Sequence, residues 1–228
     1  PDCNSSDALC INEDRSTKCF SCGKFTPKPN IVPMNNNYKP PTKPTETVHS
    51  GTYAPLTDRS ISKETATKYG VKVVYDSQGV LAQHRYPYHI NNEQTGTKIR
   101  FVKDKNFKFE GTTAGTGLFG QQLFKEGGKY LTIVEGECDA MAGYELLGSK
   151  WPVVSIRSGA AGGARDVKNS LEFLESFDTV VICFDNDKAG KEGAREVAKL
   201  LTPNKAKLMT LPEDYKDPND MLKARKHS

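Results

Sequence analysis

The chain has 228 residues, 36% hydrophobic and 26% charged, with a formal net charge of +4. That length supports one sizeable core, or one domain with a small satellite. No run of about 18 or more apolar residues is present, which excludes a transmembrane helix, and no secretory signal opens the chain.

The chain starts with Pro1 rather than Met and so reads as a fragment. Residues 1–25 carry four of the six cysteines. Without a secretory signal these argue for zinc rather than a disulfide framework. Cys19-Phe20-Ser21-Cys22 is a C-x-x-C, and 15 residues separate Cys3 from Cys19. The zinc-ribbon spacing C-x2-C-x15-C-x2-C is matched at three of its four positions, with the fourth falling just before Pro1. Cys10 competes for the fourth place. Residues 26–50 read as a linker, because Pro27, Pro29, Pro33, Pro40, Pro41 and Pro44 lack backbone donors and Asn35-Asn36-Asn37 favours turns. Such a linker reaches roughly 25–30 Å, so the head reads as tethered rather than fused.

Residues 51–128 read as an α+β unit. Ser62 is a candidate N-cap for a short helix that Gly70 ends. β-like runs follow at 71–75, 80–88 and 98–102, the first two joined by Asp76-Ser77-Gln78-Gly79. Lys98, Arg100, Lys103, Lys105 and Lys108 are interleaved with Phe101, Phe107 and Phe109. Strand alternation puts Lys98 and Arg100 on one face, and basic residues among aromatics suit a nucleic-acid backbone and stacked bases. A solvated strand edge has the same composition.

Residues 129–228 alternate apolar runs at 130–134, 153–156, 179–184 and 207–211 with helical patterns. The helix after the second run is expected to start near Ala164 and to reach about Phe177. Continuous apolar strands alternating with helices predict an α/β unit with a parallel sheet covered on both faces. Ser158-Gly159-Ala160-Ala161-Gly162-Gly163 either offers N–H groups to phosphate or simply leads into the helix; no P-loop pattern is present. Cys138 and Cys183 read as small buried residues, and no histidine has ligand spacing.

The chemistry lies where the apolar runs end. Val134 runs into Glu135-Gly136-Glu137-Cys138-Asp139, Phe184 into Asp185-Asn186-Asp187, and Leu211 is followed by Asp217-Pro218-Asn219-Asp220. Ligands of open α/β sheets bind at those carboxyl ends. Gathered carboxylates repel one another, and a divalent cation removes the conflict. Mg²⁺ takes hard oxygen ligands, typically one or two carboxylates with substrate phosphate, a role that Glu135, Asp185 and Asp187 fit. Asp139, one helical turn beyond Glu135, can face the same way, and Gly136 permits a sharp turn.

The two signatures Glu135-Gly136-Glu137-Cys138-Asp139 and Asp185-Asn186-Asp187-Lys188-Ala189-Gly190 resemble those of the Toprim fold, shared by primases, topoisomerases and some nucleases. Leu56-Thr57-Asp58-Arg59-Ser60-Ile61-Ser62-Lys63-Glu64-Thr65, Lys103-Asp104-Lys105-Asn106-Phe107-Lys108 and Leu118-Phe119-Gly120 resemble the N-terminal primase subdomain of podophage primase–helicases. The resemblance implies a Toprim domain over 129–228, an α+β primase subdomain over 51–128, and a zinc ribbon over 1–25 that selects template. It implies catalytic roles for Glu135, Asp139, Asp185, Asp187 and Asp217, with Glu135, Asp185 and Asp187 holding Mg²⁺ or Mn²⁺. It implies Zn²⁺ on Cys3, Cys19 and Cys22, the pattern's fourth cysteine lying before Pro1. Lys98, Lys105 and Arg59 are implied to contact ribonucleoside triphosphates and single-stranded DNA template. The expected activity is RNA primer synthesis in the cytoplasm of an infected host cell, beside a helicase domain and a DNA polymerase. The alternatives are another Toprim enzyme, nuclease or topoisomerase, and a non-catalytic DNA-binding module.

Overall fold

The structure is a computed structural model and describes residues 9–11, 16–19, 24–26 and 51–227. Among the described residues eleven strands form two sheets. The first contains β1 (Leu9–Ile11), β2 (Thr17–Cys19), β3 (Phe25–Thr26), β4 (Lys72–Tyr75), β5 (Leu81–Ile90), β6 (Glu93–Phe101) and β7 (Phe107–Gly111), in the order β3-β2-β1-β7-β6-β5-β4. The second contains β8 (Gly128–Val134), β9 (Val153–Ser155), β10 (Phe177–Cys183) and β11 (Ala206–Leu208), all parallel, in the order β11-β10-β8-β9.

Local chemistry explains the first sheet. Ser62 caps α1 (Lys63–Lys68), its hydroxyl accepting from the Thr65 amide at 3.2 Å, and Gly70 exits at φ +71°. Asp76 holds the β4–β5 turn by accepting from the Gln78 and Val80 amides, both at 2.9 Å. Asn91 and Asn92, at φ +49° and +67°, form the two-residue turn between β5 and β6 that the sequence reading did not anticipate. Nor did that reading separate β7 from the basic run before it. The head joins this sheet directly, since β1 pairs in parallel with β7 through Cys10 and Phe107. The described part of the head thus packs against the sheet; Thr26, the first residue of the expected 26–50 linker, belongs to β3, and residues 27–50 lie outside the described residues.

The central strands of the second sheet, β8 and β10, and the short β9 carry buried side chains on both faces along their carboxyl halves, as their apolar runs predicted, whereas edge strand β11 leaves Lys207 and Leu208 exposed. Leu131, Ile133, Val154, Val180 and Ile182 pack on one face with Val167, Leu174 and Val197. Those partners come from α3 (Ala160–Lys168), α4 (Leu171–Glu175) and α5 (Lys188–Ala198). The expected single helix to Phe177 is thus two, and the first starts at Ala160, not near Ala164. Val134, Val153 and Cys183 pack on the other face with α2 (Glu137–Leu146), α6 (Pro218–His227) and the first sheet. Tyr69, Val73, Tyr86, Tyr88 and Phe119 of residues 51–128 share this core with Ala140, Met141 and Ala142. The two halves are joined through buried apolar surface.

Candidate active site

The chain leaves β8 and β10, neighbours in the sheet, toward opposite sides, so their carboxyl ends form a topological switch point. A cleft opens there. Glu135 follows β8, Asp185 and Asp187 follow β10, Asp139 stands in the first turn of α2, and Asp217 precedes α6; all five line the cleft. Glu135, Asp139, Asp185 and Asp217 are half-buried, and Asp187 is exposed.

Backbone donors fix several of these acids. Glu135 accepts from the Ala160 amide at 3.0 Å and the Asp185 amide at 3.3 Å. The glycine-rich loop therefore spends its first helical N–H on Glu135. Asp187 caps α5, accepting from the Gly190 amide at 2.8 Å, and Asp217 accepts from the Asp220 amide at 2.8 Å. Asp139 accepts from the Asn219 amide at 3.3 Å. Lys216 reaches Asp185 at 3.2 Å.

Crowding leaves a clear electrostatic mark. Burial and the Glu135 charge push Asp185 up to about 7. Burial, with Asp217 and Asp185, pushes Asp139 well above the carboxylate range. Burial also raises Glu135, with Asp187 adding to the shift. Cys183, buried as expected, rises to about 12 through burial and the neighbouring acids. Among the described residues no three acids, histidines or cysteines are already arranged as ligands of one ion. The donor chemistry nevertheless fits a hard divalent cation, because oxygen donors from four elements converge and suffer mutual repulsion that such an ion relieves.

Gly136 works differently from the sequence reading, and Gly190 has a role the sequence did not show. Gly136 sits at φ −121°, an ordinary extended conformation, so no sharp turn is needed. Its role is space: a Cβ there would lie 2.6 Å from Asp139 Oδ2. Gly190 lets α5 approach the acidic loop, since its Cβ would stand 2.3 Å from the Asp185 carbonyl oxygen.

The opposite wall comes from residues 51–128. Arg59, Lys98, Arg100 and Phe107 line it, and Arg157 and Lys216 add charge from the parallel-sheet side. Lys98 is buried, with its ammonium 2.8 Å from Glu137 Oε1, 3.1 Å from the Arg157 carbonyl and 4.6 Å from the Phe107 ring centre. Glu137 is itself buried and also accepts from the Tyr88 hydroxyl at 2.5 Å. Lys98 is therefore committed to a contact between the two halves, which the sequence could not show. Lys105 stands exposed at φ +52° in the β6–β7 turn, outside the cleft lining. Arg59 lines the cleft.

Sequence reasoning assigned no role to Arg157 or Lys216, and placed Arg100 only within the basic run suited to a nucleic-acid backbone. Arg100 shares the Lys98 face, and its buried Nε has no partner among the described residues. Arg157 follows β9, so the carboxyl-end rule applied to that strand would have found it. Lys216 directly precedes Asp217. Cys138, read as merely buried, lines the cleft with its Sγ 3.2 Å from the Tyr86 hydroxyl. Of the zinc residues, Cys19 is buried in β2, while Cys3 and Cys22 lie outside the described residues.

Comparisons with known proteins agree with this architecture. A Toprim-like family model matches residues 132–222. The DNA helicase/primase of Enterobacteria phage T3 is 35% identical over 173 residues, covering 75% of this chain and 29% of that protein. This chain thus spans under a third of that relative's length. The primase fragment of the bacteriophage T7 primase–helicase superposes with a TM-score of 0.70 at 31% identity, covering 99% of this chain and 93% of that one. A second T7 structure has primase domains bound to an RNA/DNA hybrid and dTTP beside the lagging-strand DNA polymerase. It matches with a TM-score of 0.68 at 32% identity, covering 78% of this chain and 87% of that one. The DnaG catalytic core, at 18% identity and a TM-score of 0.55 over 74% of this chain and 67% of that one, shares the fold. The chain belongs to the family of the phage T7 and T3 primase–helicases and corresponds to their primase region.

Proposed function

We propose that this chain is a DNA primase region that makes short RNA primers on single-stranded DNA by metal-dependent nucleotidyl transfer. One observation carries the reading: acids from four elements face a cationic wall across one cleft at the switch point of the parallel sheet. That pairing suits a triphosphate with its metal on one side and nucleic-acid phosphate on the other. Glu135, Asp185 and Asp187 would hold Mg²⁺ or Mn²⁺, which supplies positioning of the triphosphate and activation of a 3′-hydroxyl. Asp139 and Asp217 enclose that group with further negative charge. Arg59, Arg100 and Arg157 offset phosphate charge. Lys98 supports the wall from behind, and Lys105 is free to reach template from outside the cleft.

Zn²⁺ on Cys3, Cys19 and Cys22 would complete the head as a template reader. The full-length protein would add a helicase domain, and the T7 assembly extends the proposal to a replicative DNA polymerase as partner. The setting is the cytoplasm of an infected cell; among the described residues no helix is long and apolar enough to cross a membrane. The test is a priming assay on random single-stranded templates with labelled ribonucleotides. Wild type is expected to make short oligoribonucleotides only with Mg²⁺, and Asp185→Ala to make none. Normal synthesis by Asp185→Ala sinks the assignment, and DNA degradation without synthesis marks a nuclease instead.

A further inference from the structure

Arg59 does not stand alone in the cleft wall. Its Nε lies 3.5 Å from Asp58 Oδ2, and Asp58 Oδ1 lies 2.9 Å from Nε2 of His84. His84 is fully buried, and its Nδ1 meets the Tyr86 hydroxyl at 3.0 Å. The Arg59 carbonyl accepts from Asn219 Nδ2 at 2.7 Å, and Asn219 donates its amide to Asp139 at 3.3 Å. A continuous chain of polar contacts therefore runs from the buried imidazole through Asp58 to the guanidinium. A second chain runs from the Arg59 backbone to the acids.

A buried histidine with both ring nitrogens engaged needs a reason, because burying a polar ring costs free energy unless its partners are fixed. Burial would lower His84, but Asp58 together with Cys138 outweighs it and raises His84; burial would raise Asp58, but His84 with the Arg59 and Arg100 charges outweighs it and lowers Asp58. The pair thus favours its charged form, which presents a fixed carboxylate to Arg59. Arginine loses much rotamer freedom when it grips a phosphate, and ordering it beforehand removes part of that cost.

We propose that Asp58 and His84 are positioning residues that preset the Arg59 guanidinium for a triphosphate opposite the acids. The inference rests on the primase reading and deepens it. The experiment is a double-mutant cycle on the whole chain with Mg²⁺ present, reading ATP affinity by calorimetry, with melting temperature measured for every variant. Asp58→Asn, at a partly exposed position, and His84→Gln are each expected to weaken ATP binding roughly tenfold. Arg59→Ala is expected to weaken it at least as much, and neither first change should add to it. Additive effects overturn the proposal, as does unchanged affinity in a folded Asp58→Asn protein. Should wild type bind no ATP, the primase reading falls, and the positioning role is then read by NMR on the Arg59 Nε–H. Exchange protection in wild type that is lost in Asp58→Asn supports it; equal exchange in both overturns it.

Discussion

In the metal-free protein Asp185 is the acid most exposed to competing demands. Burial and Glu135 favour its protonated form, while Lys216 at 3.2 Å favours the carboxylate. Asp185→Asn removes one charge from the cluster and keeps the side chain's shape. The variant is expected to melt about 2–4 °C higher than wild type in EDTA near pH 8, by scanning calorimetry, while losing primer synthesis. A lower melting temperature would show that the Lys216 pair outweighs the repulsion. Legibility at this scale was uneven. The acids were visible because each follows an apolar run. The commitment of Lys98 to Glu137 was not, because 39 positions separate the two in the chain and nothing local links them.

At the scale of elements, the start of α5 and the contact between β6 and α2 are the vulnerable places. Gly190→Ala would drive a methyl group into the Asp185 backbone, 2.3 Å from its carbonyl oxygen. Metal affinity, followed by Mg²⁺ titration, is expected to fall roughly 10–100-fold, as when a support behind a ligand is lost. Lys98→Met strands the buried Glu137, with Tyr88 as its remaining partner among the described residues, and is expected to cost about 3–5 kcal/mol in urea denaturation. Lys98→Met with Glu137→Leu should recover most of that loss, because no buried charge remains. The sequence placed the strands of the parallel sheet to within a few residues, since both-face burial writes an uninterrupted apolar run. It missed β7, whose Phe107-Lys108-Phe109 pattern merges with the basic run before it.

For the whole molecule, the raised acids make stability depend on pH in a definite direction. A carboxyl whose folded pKa is raised keeps its proton to higher pH in the folded state than in the unfolded chain. Its stabilising contribution is full below the unfolded value, near 3.8, and is lost as pH rises through about 7 for Asp185. Asp139 and Glu135 act in the same direction. The metal-free melting temperature is expected to drop between about pH 5 and pH 8, and saturating Mg²⁺ to reduce that drop. Calorimetry across pH, with and without Mg²⁺, checks both; a metal-free temperature that rises over this range refutes the clustering of charge. By itself the sequence determined the parallel sheet and the acids at its strand ends, because burial on two faces and exposure at one end are local patterns. Only the tertiary structure decided that Arg59, Arg100 and Arg157 face those acids, that Lys105 does not, and that His84 stands behind Arg59. Those choices depend on strand register and on which faces share a core, and contacts between distant segments leave no period in the chain that makes them.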